Sequence, residues 1–147
     1  MPLKNQLMND MKAAMKAKDK LKVDTIRMAN AAIKNAEING RKELTESQVV
    51  DIIAKEIKMR RDALEEYKKA NRPEDVDKLE QEINILMEYM PTQLSEEELT
   101  TIIKETIQQT GAQSPKDMGK LMGALMPKVK GKADGKLVSS IVKDLLG

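Results

Sequence analysis

The 147-residue chain has no cysteine, histidine, tryptophan or phenylalanine and only two tyrosines. Without cysteine there are no disulfide staples and no thiolate nucleophile. Losing histidine as well removes imidazole acid–base chemistry and the usual zinc and copper ligands. Tyr67 and Tyr89 alone make a poor platform for stacking single-stranded bases, so any RNA recognition is expected to read backbone and shape. No apolar run approaches the roughly 20 residues needed to span a bilayer. The N-terminus also lacks the continuous apolar core of a secretory signal, and a cytoplasmic location with no membrane partner is expected. Neither charge sign dominates: 26 basic and 24 acidic residues leave a formal net charge of +2, so bulk charge announces no polyanionic partner. No alternating β-branched and aromatic run reads as a strand.

What is present is helical periodicity, and the expected fold is all-α. In the first segment Leu3, Leu7, Met8, Met11 and Met15 share one face with lysines opposite. Asp10 and Asp19 are out of place in a membrane-surface helix, so this reads as a packed first helix. A second helix carries Val23, Ile26, Ala29 and Ile33, with "NGR" at 39–41 as its terminating turn. Thr45 and Gln48 form a capping box ahead of Val49, Ile52, Ile53, Ile57, Leu64 and Tyr67, giving a third helix running to about residue 70. Pro73 suits the first position of a fourth helix that buries Val76, Leu79, Ile83, Leu86, Met87 and Met90. Helices three and four are expected to form a long antiparallel hairpin.

Pro91 cannot continue that helix, and Ser95 with Glu98 makes a second capping box. Residues 91–94 therefore read as a hinge. It separates an N-terminal helical domain, residues 1–90, from a small C-terminal three-helix domain, residues 91–147. In the latter, Leu99, Ile102, Ile103 and Ile107 mark a helix ending at Gly111. Ser114 and Pro115 start the next, with Met118, Leu121, Met122, Leu125 and Met126 inward and Pro127 as its stop. Asp134 caps the last, which buries Leu137 or Val138 with Ile141, Val142, Leu145 and Leu146. Gly119 and Gly123, four apart, suggest a close helix crossing.

Charge is distributed unevenly. Residues 1–90 hold 18 basic and 17 acidic side chains, read as a solvated surface with i,i+4 pairs such as Glu65 and Lys69. Residues 116–143 hold seven lysines against Asp117 and Asp134, an excess of five positive charges. That excess centres on "GALMPKVKGKADGKLV", where a glycine-bounded loop leads into a helix start whose N–H groups favour anions. Lys120, Lys128, Lys130, Lys132 and Lys136 are the candidate RNA-backbone contacts. The fragment "GKADGKL" is not a nucleotide-binding P-loop: its gap is one residue short, no Ser or Thr follows the lysine, and no strand precedes it. Ser139 or Ser140 with Lys143 would need a buried, deprotonated lysine to act as a nucleophile pair, and these read as exposed helix positions. In "EIKMRRDALEEY", Lys58, Arg60, Arg61 and Asp62 could meet an acidic partner, but pairing with Glu65, Glu66 and one another is the expected role. No catalytic residue, cofactor or metal site is assigned.

The segments "AAIKNAEI" (31–38), "EIKMRRDALEEY" (56–67), "EYMPTQLSEEEL" (88–99) and "DMGKLMGALMPKVKGKADGKLV" (117–138) resemble the YqeY family of small bacterial proteins, over essentially the whole chain. The last of them also resembles the tail domain of the bacterial glutamyl- and aspartyl-tRNA amidotransferase, a helical module attached there to a much larger polypeptide. The resemblance implies an N-terminal helical domain with a small three-helix tail, and a connection to tRNA. It also implies a family label of carbon–nitrogen ligase with glutamine as amide donor, although the amide-transfer and phosphorylation parts of that enzyme have no counterpart here. Three functions follow as expectations. One is a tRNA-binding accessory protein, working with a tRNA-modifying or aminoacylating enzyme. The second is a helical protein-interaction adaptor, and the third an amidotransferase-like ligase.

Overall fold

A computed structural model describes Met1–Gly147 and is all-α, as the periodicity predicts. Its helices are α1 (Leu3–Lys16), α2 (Lys20–Gly40), α3 (Glu46–Lys69), α4 (Pro73–Met87), α5 (Glu96–Thr110), α6 (Met118–Val129) and α7 (Gly135–Leu146), with a single 3-10 turn at Pro115–Asp117 before α6. None is long and apolar enough to cross a membrane. The chain divides into two compact units, Met1–Met90 and Pro91–Gly147, each with its own core.

In the first unit, Leu7, Ile26, Ala29, Ile33, Val49, Ile53, Ile57, Ile83, Leu86 and Tyr89 form one buried cluster. The Thr45–Gln48 capping box starts α3. At 24 residues, α3 is about 36 Å long, and it shares its most extensive packing with α4. Only residues 70–72 separate the two helices, so α4 must fold back along α3. Asn71 is left-handed at φ 56°, and Arg72 lies over the Tyr67 ring at 5.2 Å while its Nε meets Asp75 at 2.7 Å.

Several expectations are corrected here. On α1 only Leu7 and Ala14 are buried, and Met8 (43% exposed) and Met15 (53%) turn to solvent. Met8 and Met15 each follow a buried residue by one position, about 100° around the helix, beyond the narrow strip that α2 and α3 cover. The residue ending α2 in the left-handed conformation is Arg41 (φ 53°), with Gly40 still helical. The Lys42 N–H reaches back to the Glu37 carbonyl at 3.2 Å and closes the turn. Helix α4 stops at Met87, three residues before Met90, in tight turns from the Tyr89 and Met90 amides to Leu86 and Met87. Lys69 pairs with Glu66 and Lys68 with Glu65, both at 4.0 Å and i,i+3, in place of Glu65 with Lys69.

The second unit buries Leu99, Ile103, Ala112, Leu121, Leu125, Val129, Val138, Ile141, Val142 and Leu146. The Ser95–Glu98 box opens α5 and left-handed Gly111 (φ 71°) closes it. Ser114 and Pro115 begin the 3-10 turn, and α6 itself starts at Met118. Pro127 does not stop α6, which continues to Val129. A proline forfeits one hydrogen bond, to the carbonyl four residues back, and its fixed φ is itself helical. Here Pro127 and Gly123 are both exposed, so water can reach the orphaned carbonyl. Gly119 and Gly123 make no close crossing: both are exposed, and a Cβ at either would meet nothing within 4 Å. Met126 and Leu145, expected inside, are 41% and 37% exposed.

Candidate nucleic-acid interface

The α6–α7 connection is built from its backbone outward. The Lys130 N–H bonds to the Met126 carbonyl at 2.9 Å and ends α6. Gly131 takes φ 73°, where any side chain would be strained, and the Lys132 N–H returns to the Val129 carbonyl at 2.8 Å. Asp134 caps α7 as expected, accepting the Lys136 N–H at 3.1 Å. The loop is also held from outside. The Leu94 N–H donates to the Lys132 carbonyl at 2.8 Å, and the Gln93 Nε2 donates to the carbonyls of Gly131 and Pro91, each at 2.8 Å. Residues 93–94, which the sequence suggests as hinge, are thus tied into the second unit by its lysine loop.

Of the five candidate lysines, the connection brings together Lys130, Lys132 and Lys136, all exposed. Lys128, in the last turn of α6, donates from Nζ to Gln109 Oε1 at 2.7 Å and Thr106 Oγ1 at 3.1 Å, which fastens it to α5. Lys120 stands in the first turn of α6, eight residues or about 12 Å along the axis from Lys128, and does not join the loop. Lys128 and Lys130 sit at the negative end of the α6 dipole, which favours cations there, whereas Lys136 adds positive charge to the positive end of α7. An incoming anion therefore meets lysine ammonium groups and a helix start together, with the Asp134 carboxylate as the one opposing charge in the connection. Ser140 and Lys143 are exposed on α7 with Ser139 half-buried. Nothing there encloses a reacting group.

The second sequence constellation turns inward. Arg60 is buried and its Nη1 donates to Glu56 Oε1 at 3.2 Å and to the Glu56 carbonyl at 3.1 Å, while Nε lies 4.0 Å from Glu82 Oε2. Its partners are thus one turn back on α3 and across on α4, in place of Glu65 and Glu66. Sequence reasoning also missed the Glu37 cluster. Glu37 Oε2 accepts from Lys4 Nζ at 2.7 Å and from the Leu44 N–H at 3.0 Å. These bonds hold its carboxyl below the usual carboxylate range, the Lys4 bond most strongly, and the same bond raises the Lys4 ammonium. Tyr89 donates its hydroxyl to Asp10, and burial, followed by that bond, pushes the phenol well above its ordinary range.

Comparison with known proteins places this architecture among relatives. Over 85 residues the chain is 42% identical to altered inheritance of mitochondria protein 41, a mitochondrial protein of Lachancea thermotolerans, covering 57% of this chain and 46% of that protein. Over 84 residues it is 43% identical to the protein of the same name from Kluyveromyces lactis, covering 56% and 45%. Over 106 residues it is 31% identical to that of Pyrenophora tritici-repentis, covering 70% and 58%. The chain spans about half the length of the curated relatives it matches. The family model described as Yqey-like protein matches residues 4–146, through both helical units, and the chain belongs to that family.

Proposed function

We propose that the chain is a tRNA-binding accessory protein that holds the RNA phosphate backbone at the α6–α7 connection and serves a tRNA-modifying or aminoacylating enzyme. The observation that carries the reading is the placement of Lys130, Lys132 and Lys136, exposed, on one loop whose backbone is fixed by Gln93 and Leu94. A loop already ordered loses little freedom when it binds, so its cations act at their full electrostatic value. The resemblance of residues 118–138 to an amidotransferase tail domain supports the same ligand. With two tyrosines in the chain, contact is to backbone and shape, with little sequence preference.

The test is tRNA binding measured across a salt series. Neutralising about three phosphates gives a slope of log K against log salt near −2 to −3. Changing Lys130, Lys132 and Lys136 together to Ala flattens the slope and weakens binding without unfolding the protein, because none belongs to the buried cluster. Unchanged affinity in the folded triple variant, or no binding by the parent at low salt, overturns the reading and leaves the helical adaptor in its place.

A further inference from the structure

The near balance of charge over residues 1–90 hides a second cationic locus. Where α1 ends and α2 begins, "KAAMKAKDKLK" (12–22) holds five lysines and one acid, an excess of four in eleven residues. Lys12, Lys16, Lys18 and Lys20 are exposed and Lys22 is half-buried. Lys12 and Lys16 stand one turn apart on the same side of α1. Left-handed Lys18 (φ 59°) turns the chain, and Lys20 opens α2.

What makes this corner unlike the rest of the unit is the fate of the nearby acids. Asp10 receives the Tyr89 hydroxyl, Asp19 receives the Lys22 N–H at 3.2 Å as the cap of α2, and Asp24 lies 3.8 Å from Arg27. Each is committed elsewhere, and none of the five lysines enters an ion pair, whereas Lys4, Arg60, Lys68, Lys69 and Arg72 of the same unit all do. The start of α2 adds its own partial positive charge to Lys20 and Lys22.

We infer that the α1–α2 corner is a second polyanion-binding surface, which takes the phosphate backbone of the same RNA that the α6–α7 loop contacts. The choice of RNA as ligand rests on the reading above; the site itself does not. Met8 and Met15 lie exposed beside the corner, so an anionic membrane is the competing occupant. It is the weaker fit, because interfacial helices rely on a broad apolar face with aromatic or leucine side chains, and the apolar face of α1 is turned into the core through Leu7 and Ala14.

The experiment uses the full chain, a tRNA transcript, and vesicles of phosphatidylserine and phosphatidylcholine. The corner variant combines Lys12→Gln, Lys16→Gln, Lys18→Asn and Lys20→Gln, with asparagine chosen because it tolerates the left-handed backbone. The expected result is a tRNA salt slope shallower by about 2–3 and an affinity at least about tenfold weaker at low salt, with thermal unfolding still cooperative. Substituting Met8→Gln and Met15→Gln leaves tRNA binding unchanged. If the corner variant keeps full tRNA affinity and slope while the α6–α7 loop variant loses them, this inference is wrong and the loop reading stands. If the corner variant loses binding and the loop variant does not, the loop reading fails and the corner stands. Vesicle binding abolished by both the corner and methionine variants, with tRNA binding untouched by the corner variant, assigns the surface to membrane and overturns the inference.

Discussion

Arg60 shows what a single buried charge asks of its surroundings. Its side chain is 7% accessible and lies between two carboxylates, those of Glu56 and Glu82, that are themselves 10% and 11% accessible. Its Nη2 faces the Met28 sulfur at 3.5 Å and its Nε makes no hydrogen bond. Removing only the cation leaves both carboxylates uncompensated, so Arg60→Met is expected to destabilise the first unit by about 3–5 kcal/mol. Adding Glu56→Gln and Glu82→Gln restores most of that loss, since no isolated charge then remains inside. Urea unfolding of the single and triple variants checks it, and equal losses in both would refute the charge argument. Glu37 makes the matching pH prediction. Its carboxyl is depressed by Lys4 and the Leu44 N–H, so its stabilisation is present above the ordinary carboxylate value and is lost as pH falls through the lower folded one. The parent and Glu37→Gln should therefore differ in melting temperature at neutral pH and converge on acidification. A gap that persists at the lowest pH where the protein folds would assign the effect to shape. None of this is legible in the sequence. The signals at 37, 56 and 60 are ordinary helical charges until Lys4 and Glu82, far along the chain, are brought against them.

At the scale of the helix, local chemistry is readable from sequence and coverage is not. The capping boxes at Thr45 and Ser95 stand out because both partners lie within four residues, and the structure makes both reciprocal pairs. Burial at Val23, Ile26, Ala29 and Ile33 follows the helical period and is found as expected. Periodicity locates a face without saying how much of it a neighbour covers, which is why it points Met8, Met15, Met126 and Leu145 inward. Glycine spacing misleads for the same reason. Gly123 lies in the interior of α6, exposed and with open space around a virtual Cβ. Gly123→Ala should raise stability by about 0.5–1 kcal/mol through the lost freedom of the unfolded chain. A lower midpoint in chemical denaturation would mean that this face meets something the isolated protein lacks. The Glu98 carboxyl, held low by the Ser95 amide and hydroxyl, makes the start of α5 another element that loosens in acid.

For the whole molecule, separate cores in Met1–Met90 and Pro91–Gly147 predict that a fragment beginning at residue 91 folds alone, seen as a cooperative transition and dispersed amide signals. Starting at residue 95 instead removes the Gln93 and Leu94 bonds to the lysine loop, so the shorter fragment should melt lower. Similar midpoints would show that the clamp contributes little. The purified chain is expected to show no glutaminase or tRNA-amidating activity, since no nucleophile and base are enclosed together. Turnover lost on changing Ser140 or Lys143 to Ala would reverse that. The loop cluster is legible as a local excess of lysine, whereas the clamp is not, because Gln93 and Gly131 are 38 residues apart. That clamp also makes the protein its own sensor. The Leu94 amide can trade its proton for solvent deuterium only when its bond to Lys132 opens, so its exchange rate times each opening of the loop from a position outside the lysines. Retarded exchange at this one amide when tRNA is added would record engagement of the loop without a label or a substitution.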